Sequence, residues 1–572
     1  MTSGFVGIDF GTTNSLVSFM DGDRPTIIPN ARGDRSTPSV VALSSRGEVL
    51  VGESAKNQAF LNPDNTVVGI KRLLGASETV RMGGKDYRPA EIAALLLAAL
   101  RADAERHLGR SVDRAVVTAP ANFSEPARRA LREAGRLAGL RIERILNEPT
   151  AAALSRAWLG VEEGKTASSS DEGRLLLVYD FGGGTFDVTI LRQRGRDCAV
   201  LASCGDGRLG GMDLDQELVA KAKAYFAAHF GLDVDSDRLL AQQLADQAER
   251  AKIELSELSE TTIALPFAFR SGDGGLVHPQ LSVSRAEFEA IAAPFVERTL
   301  ELTARALADA KIEASKIDRL ILSGGSSRMP LVRRILAERF GLKPEGAVNP
   351  EEVVAMGAAV ESALISGSDR LQVRDVVSRT YGVEIDGGRF VPLIRKNSPV
   401  PASKQRMFTT VSDDQDSVEV HVLQGESARV ADNLSLGRFL LAGLRPARAG
   451  APRIQVDFTI DESDILHVSA RDLETGIEQA IRIVDLQRGV SDESAASIAA
   501  KIQELSERLA VLASQAPLGG ALGSEISDAV ARGRAAAESD GEGRLRVFRA
   551  ELEGLVGELL ARGVRLAKGA GK

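Results

Sequence analysis

Apolar runs that stop at a carboxylate and a glycine turn dominate the first two thirds of the chain. Leu175 to Tyr179 read as a buried strand, which ends at Asp180, Phe181 and the triplet Gly182-Gly183-Gly184. Thr185 and Asp187 follow, and the strand pattern resumes through Val188 and Ile190. The segment Phe5–Ser15, FVGIDFGTTNS, has the same layout: a short strand, Asp9, Phe10, Gly11, then Thr12, Thr13 and Asn14. The carboxylate, glycine and threonine recur at equal offsets. That argues against two unrelated turns and for a duplicated architecture with a ligand between its halves.

Around these runs the pattern alternates between strand and helix. Leu16–Met20 and Thr26–Ile28 continue the first sheet, while Ala115–Thr118 (ending at Pro120) and Ile142–Leu146 are further buried strands. Pro89–Leu108 carries an apolar stripe at helical spacing. A helix capped by Ser124 carries Arg128 and stops at Gly139, and another opens at Asn147-Glu148-Pro149-Thr150. Residues 161–173 read as a mobile loop. Gly205–Gly211, which includes Gly210, is a glycine turn before a helix over Asp213–Phe230. A charged helix is expected over Gln242–Ser259; it places Glu249, Lys252 and Ser256 on one face, most simply a solvated one. Ile317–Leu322 runs into Ser323-Gly324-Gly325-Ser326-Ser327-Arg328 and a helix from Met329 to Phe340, a third loop suited to a polar ligand. Asn349-Pro350 opens a last helix through Leu364.

Near Gly367 the helical period gives way to alternation. Val418, Val420 and Val422 alternate with Glu419 and His421, and Ile454–Ile460 and Leu466–Ala470 alternate likewise, as in hairpins of an antiparallel β domain. From Ser491 the helical period returns, with a break at Pro517-Leu518-Gly519-Gly520.

Composition narrows the classes. The 572 residues allow several domains, and a net charge of -8 argues against a general nucleic-acid binder. Two cysteines, Cys198 and Cys204, make no disulfide framework, and five scattered histidines make a zinc site improbable. The first strand begins almost at once and no apolar run reaches membrane-spanning length. The expectation is a soluble cytoplasmic protein that binds neither membrane nor nucleic acid.

Carboxylates at strand ends suit hydrated Mg²⁺, and glycine loops with hydroxyls suit phosphate oxygens. Lys71, in GIKRLLG, becomes a phosphate partner only if those loops surround it. Glu148 complements a helix dipole or, between two phosphate loops, orients a water.

In the order GIDFGTTNS, IKRLLG, NEPTAAAL, YDFGGGTFD, AERAKIELS, ILSGGSSRMP, VNPEEVVAMGAA and HVLQGE, the chain resembles the seventy-kilodalton heat-shock chaperones of the DnaK type, within the actin-like ATPase superfamily. The resemblance covers nearly the whole chain. It implies a multidomain fold: an α/β actin-like ATPase domain of duplicated halves over residues 1–368, a linker over 369–377, an antiparallel β-sandwich peptide-binding domain over 378–486, and an α-helical lid and tail over 487–572. The implied activity is a stress-related chaperone ATPase whose ATP and ADP states hold peptide differently. Asp9, Asp180 and Asp187 would serve Mg²⁺, and K⁺ would sit beside the phosphates. Gly11, Thr12, Thr13 and Asn14 would form the first phosphate loop, and Gly182, Gly183, Gly184 and Thr185 the second. Lys71 would face the γ-phosphate and Glu148 would position water. Gly210, Gly211, Glu249, Lys252, Ser256, Gly324, Gly325, Ser326 and Arg328 would surround the nucleoside, a reading that displaces the solvated-face interpretation above. Val383, Phe408, Val411, Val418 and Val420 would line the peptide site, and Pro120, Arg128 and Asp375 would relay between sites. Client polypeptides and a J-domain co-chaperone are implied partners, with a GrpE-type exchange factor.

Three departures stand out. Gly75–Ala90 is shorter than in the family and trims a lobe that helps bind exchange factors. The linker Leu371-Gln372-Val373-Arg374-Asp375 keeps the aspartate that usually follows a run of leucines but puts polar groups into the run. Asp386 stands where an apolar residue would arch over peptide, and Asn122 replaces an aromatic beside Pro120. These departures motivate an alternative, an ATP-switched scaffold for one client. A kinase reading fails for lack of a His-Arg-Asp catalytic loop.

Overall fold

The computed structural model describes residues 4–59, 61–162, 173–194, 197–270, 275–342, 349–367, 373–385, 387–461 and 465–482. Asp386, Leu371, Gln372, most of the 161–173 loop and the whole helical region from 487 on lie outside the described residues. The chain divides into two compact units, one comprising 1–405, 423–434 and 458–467, the other 406–422, 435–457 and 468–572.

The first unit holds two sheets of matching design. Strands β1 (Gly4–Asp9), β2 (Asn14–Asp21), β3 (Arg24–Ile28), β4 (Val112–Ala119) and β5 (Arg141–Asn147) lie in the order β5-β4-β1-β2-β3. Strands β6 (Arg174–Phe181), β7 (Phe186–Arg194), β8 (Asp197–Asp206) and β9 (Arg319–Ser323) lie in the order β9-β6-β7-β8. In each sheet the first strand pairs antiparallel with the next and parallel with a later one: β1 with β2 and β4, β6 with β7 and β9. The recurrence of Asp-Phe-Gly is therefore a recurrence of topology, because both motifs leave the C-terminal end of an equivalent central strand. A two-residue strand, Val373–Arg374, adds itself parallel to the outer edge of β8.

Each sheet buries one apolar face under its own helices. In the first half, β1 and β4 pack with α1 (Pro89–Leu108) and α2 (Glu125–Leu137); α1 has the predicted bounds, and Ser124 caps α2 by accepting from the Ala127 N–H at 3.4 Å. In the second half, Tyr179, Phe181 and Phe186 form an edge-to-face aromatic group under α4 (Gly211–Phe230), α5 (Arg238–Glu254) and α6 (Arg285–Ala310). Between the halves run α3 (Glu148–Glu162) and α8 (Val353–Ile365), which follows α7 (Pro330–Phe340). A Cβ on Gly357 of α8 would collide with the Ala151 backbone of α3, so only glycine allows this crossing.

Two expectations shift. The charged helix spans Arg238–Glu254 rather than Gln242–Ser259, because Asp237 caps it by accepting from the N–H groups of Leu239 and Leu240. Ser256 therefore lies beyond its end. The last helix starts at Val353 rather than at Pro350, since Asn349 and Pro350 form a turn closed by Glu352 N–H to Asn349 O. Among the described residues no helix is long and apolar enough to cross a membrane.

In the C-terminal part, Tyr381–Ile385 and Arg389–Ile394 form an antiparallel hairpin. Ile454–Ile460 and Leu466–Asp472 alternate buried positions with half-buried ones (exposed at Arg471), as their sequence predicts. Ser417–Gln424 does not: His421 and Gln424 are buried with the valines, and His421 Nε2 meets Ser435 Oγ at 2.8 Å. A satisfied polar ring is admissible in a core position, which defeats the simple alternation rule.

Candidate functional site

The two Asp-Phe-Gly turns meet across the gap between the sheets. Cβ atoms on Gly183 and Gly184 would strike the side chains of Thr13 and Thr12, so the second loop can touch the first only as bare backbone. Beside them opens a cavity of about 250 Å³. Of the residues expected at a nucleotide, it is lined by Asp9, Gly11, Thr12, Thr13, Asn14, Lys71, Glu148, Asp180, Gly182, Gly183, Gly184, Thr185, Glu249, Lys252, Ser256, Gly324, Gly325, Ser326 and Arg328. Gly210, Gly211 and Asp187 are not on this wall. Gly210 packs on the Gly183–Gly184 backbone, Gly211 lies by Ser326 and Lys252, and Asp187 sits near Gly205 and the side chain of Asn122.

At the inner end, four carboxylates act on one ammonium. Lys71, almost wholly buried, donates to Glu148 Oε1 at 2.5 Å. Lys71 stands on a short 3-10 turn (Ile70–Leu73), and Glu148 opens α3. Asp9 accepts from Thr118 Oγ1 at 2.8 Å. Burial, and next the charge of Glu148, push the Asp9 carboxyl up to about 7. Burial first, then Glu148 and Asp9, hold Asp180 well above the ordinary carboxylate range, although a Ser323 hydrogen bond opposes this. Asp187 is also raised well above it, by burial and then by Glu148 and Asp180. Neither of its oxygens has a well-formed hydrogen bond; the Asn122 backbone makes only a weak approach. Such a cluster resists full ionisation unless a cation joins it. No three ligand-type side chains converge on one point among the described residues.

The outer end is more balanced. Lys252 donates to Asp215 Oδ2 at 2.7 Å and to the Gly211 carbonyl at 3.1 Å, while Glu249 is paired with Lys56 at 2.8 Å. Ser326 Oγ donates to the Gly182 carbonyl at 2.9 Å, tying the third loop to the second. Arg328 donates to Asn349 Oδ1 at 2.7 Å.

Sequence reasoning gave no role to Arg72. Its guanidinium donates to the Gly184 carbonyl at 2.6 and 2.9 Å and to Asp213 Oδ2 at 2.7 Å, clasping the second loop from the first half. The only sequence signal was a second cation directly after Lys71. Lys56 and Thr118 were missed for the same reason: their partners are far away in sequence.

The expected relay residues are in one neighbourhood. Pro120 is buried at the end of β4. Arg128 Nη2 donates to Asn147 Oδ1 at 2.6 Å, and Asn147 Nδ2 donates to Asp375 Oδ2 at 2.8 Å. Thr150 Oγ1 donates to the same oxygen at 3.1 Å. Of the expected peptide-lining residues, Val383 belongs to the first compact unit and is buried. Phe408, Val411, Val418 and Val420 belong to the second, where Val420 is buried, Phe408 and Val418 are half-buried and Val411 is exposed.

A family model described as Hsp70 protein matches the chain over residues 5–81 and 76–515.

Proposed function

The chain belongs to the Hsp70 protein family, and from that premise we propose that ATP hydrolysis in the cavity switches its grip on extended apolar segments of client polypeptides. Members of the family are ATP-dependent chaperones that bind ATP or ADP with Mg²⁺ and engage unfolded polypeptides and co-chaperones. The residue roles, the domain limits at 368 and 378, K⁺ beside the phosphates and a J-domain partner belong to the proposal, whereas the shortened Gly75–Ala90 stretch argues against dependence on a GrpE-type exchange factor.

The observation that carries the catalytic half is the buried Lys71–Glu148 pair facing Asp9 and Asp180 beneath two back-to-back glycine loops. Acid in excess of base at that end suits Mg²⁺ held through waters by Asp9 and Asp180, with Asp187 behind. When bound, the metal supplies positive charge to the phosphate oxygens. The amides of Gly183–Thr185 and the hydroxyls of Thr12 and Thr13 bind and orient phosphate. Lys71 turns from Glu148 toward the γ-phosphate, and the carboxylate it leaves takes a hydrogen bond from the attacking water. Coupling follows the path Arg128–Asn147–Asp375, since Asn147 immediately precedes Glu148 at the head of α3. A reciprocal effect is required: peptide must change nucleotide turnover if nucleotide changes peptide affinity.

The test is Mg²⁺-dependent ATP turnover with and without an extended aliphatic peptide. Stimulation supports the reading. Turnover without any response to a broad peptide library favours the single-client scaffold, and absent Mg²⁺-dependent ATP binding refutes the catalytic half.

A further inference from the structure

Far along β8 from the edge where Val373–Arg374 pairs, a second reactive cluster fits no step of ATP hydrolysis. Lys396 Nζ lies 3.1 Å from Cys204 Sγ and 3.3 Å from Asp309 Oδ2. The Cys204 thiol donates to the same Asp309 oxygen at 3.7 Å, and Asn397 Nδ2 donates to it at 3.4 Å. All four residues belong to the first compact unit. Cys204 is nearly buried but lines a cavity of about 250 Å³, wide enough to admit a molecule the size of water or a peroxide.

We propose that Cys204 and Lys396 form a thiol–amine redox pair that a peroxide closes into a covalent S–N bond, with Asp309 handling the protons. Asp309 takes the thiol proton, and the thiolate attacks one peroxide oxygen. The S–O bond forms, the O–O bond breaks, and the departing hydroxide recovers the proton as water. Asp309 then accepts a proton from the Lys396 ammonium. The amine attacks the sulfenyl sulfur, the S–O bond breaks, and hydroxide leaves as a second water by taking that proton. The nitrogen sheds one further proton to solvent. In sum, thiol, peroxide and ammonium give the sulfenamide, two waters and one proton; sulfur loses two electrons and the peroxide gains them.

Three observations favour this partner. The chain has one other cysteine, Cys198, on the same strand. Six residues of extended strand separate the two by about 20 Å, and a disulfide needs Cα atoms within about 7 Å. A sulfenic acid at Cys204 thus has no thiol within the strand's reach to resolve it, whereas an amine stands in contact. Sulfenic acids condense with nitrogen when no thiol competes. Burial raises the Cys204 thiol and the Lys396 charge opposes this. Lys396 follows the hairpin Tyr381–Ile394, so the bond would staple β8 to residues that the proposed boundaries place in the peptide-binding domain. That consequence rests on the function proposed above; the bond itself does not.

The test is peptide mapping by mass spectrometry of the full chain after hydrogen peroxide treatment and blocking of free thiols. The expected product joins the Cys204 and Lys396 peptides, with a mass two hydrogens below their sum, and a dithiol reductant separates them. Lys396→Gln loses the linked species and accumulates oxidised, unlinked Cys204. Asp309→Asn forms the link more slowly. Cys204 recovered oxidised but unlinked in the wild type, a linked pair that retains an oxygen, or modification confined to Cys198 would each overturn the proposal. In a separate readout, oxidation abolishes peptide stimulation of ATP turnover and the reductant restores it. Failure of this second readout alone, with the link present, counts against the domain reading and not against the bond.

Discussion

Asp9→Asn isolates the electrostatic cost built into the cavity. Asp9 ionises near 3.8 in an unfolded chain and near 7 in the folded one. A carboxyl raised on folding gives stability that is complete below pH 3.8 and drains away as pH rises toward 7. A tenfold change in proton affinity corresponds to about 1.4 kcal/mol. Between pH 3.8 and about 7 the folded wild type therefore gives up at most about 4 kcal/mol through this group. Asparagine keeps an oxygen to accept from Thr118 but cannot ionise. In urea melts without nucleotide, Asp9→Asn should match the wild type near pH 4 and exceed it by about 1–3 kcal/mol near pH 8. With Mg²⁺ and ATP the order reverses, because only the wild type gains from the cation. Parallel pH profiles for the two proteins, or a variant less stable than the wild type at pH 8 without nucleotide, would refute the argument that burial and Glu148 hold this carboxyl up.

Lys71→Met should cut kcat by about 10²–10³ with little change in ATP affinity, measured by single-turnover hydrolysis beside nucleotide titration. The same change strands Glu148 in a buried site, costing about 3–5 kcal/mol in melts, and adding Glu148→Gln should recover part of that loss. Gly184→Ala pushes into Thr12 and should weaken ATP binding and destabilise the first unit by about 1–3 kcal/mol, read by calorimetry. Asp375→Ala removes the acceptor shared by Asn147 and Thr150. The sole tryptophan, Trp158, lies on the same helix and donates to the Asp23 carbonyl at 2.6 Å, so its emission should lose its response to added ATP in that variant.

What the chain discloses before folding divides along a physical line. The Asp-Phe-Gly repeats are legible because carboxylate, glycine and threonine recur at equal offsets within two short stretches, although what demands glycine at 183 and 184 is the opposing loop, through Thr13 and Thr12. Pro89–Leu108 was legible because its stripe and its closing Gly109 are local too. Arg72 was not, since its value lies in reaching Gly184 and Asp213, more than a hundred residues away. The charge pattern places Ser256 on a helix it does not join, because the helix closes at Glu254 and the Ser256 N–H turns back to the Ile253 carbonyl at 3.0 Å. The alternation rule turns His421 outward because it takes no account of Ser435. The linker gives the sharpest case. Gln372 and Arg374 put polar side chains into a run where leucines would be usual, and apolar area alone predicts weak docking. Val373 and Arg374 nevertheless pair with Cys198 and Ala199 of β8, a ladder that reads backbone and is indifferent to side chains. Asp375, the aspartate that closes the run, then holds the segment by accepting from Asn147 and Thr150. Docking of Val373–Asp375 should thus depend more on Asp375 than on the side chains of Val373 and Arg374, the reverse of what apolar area alone would give.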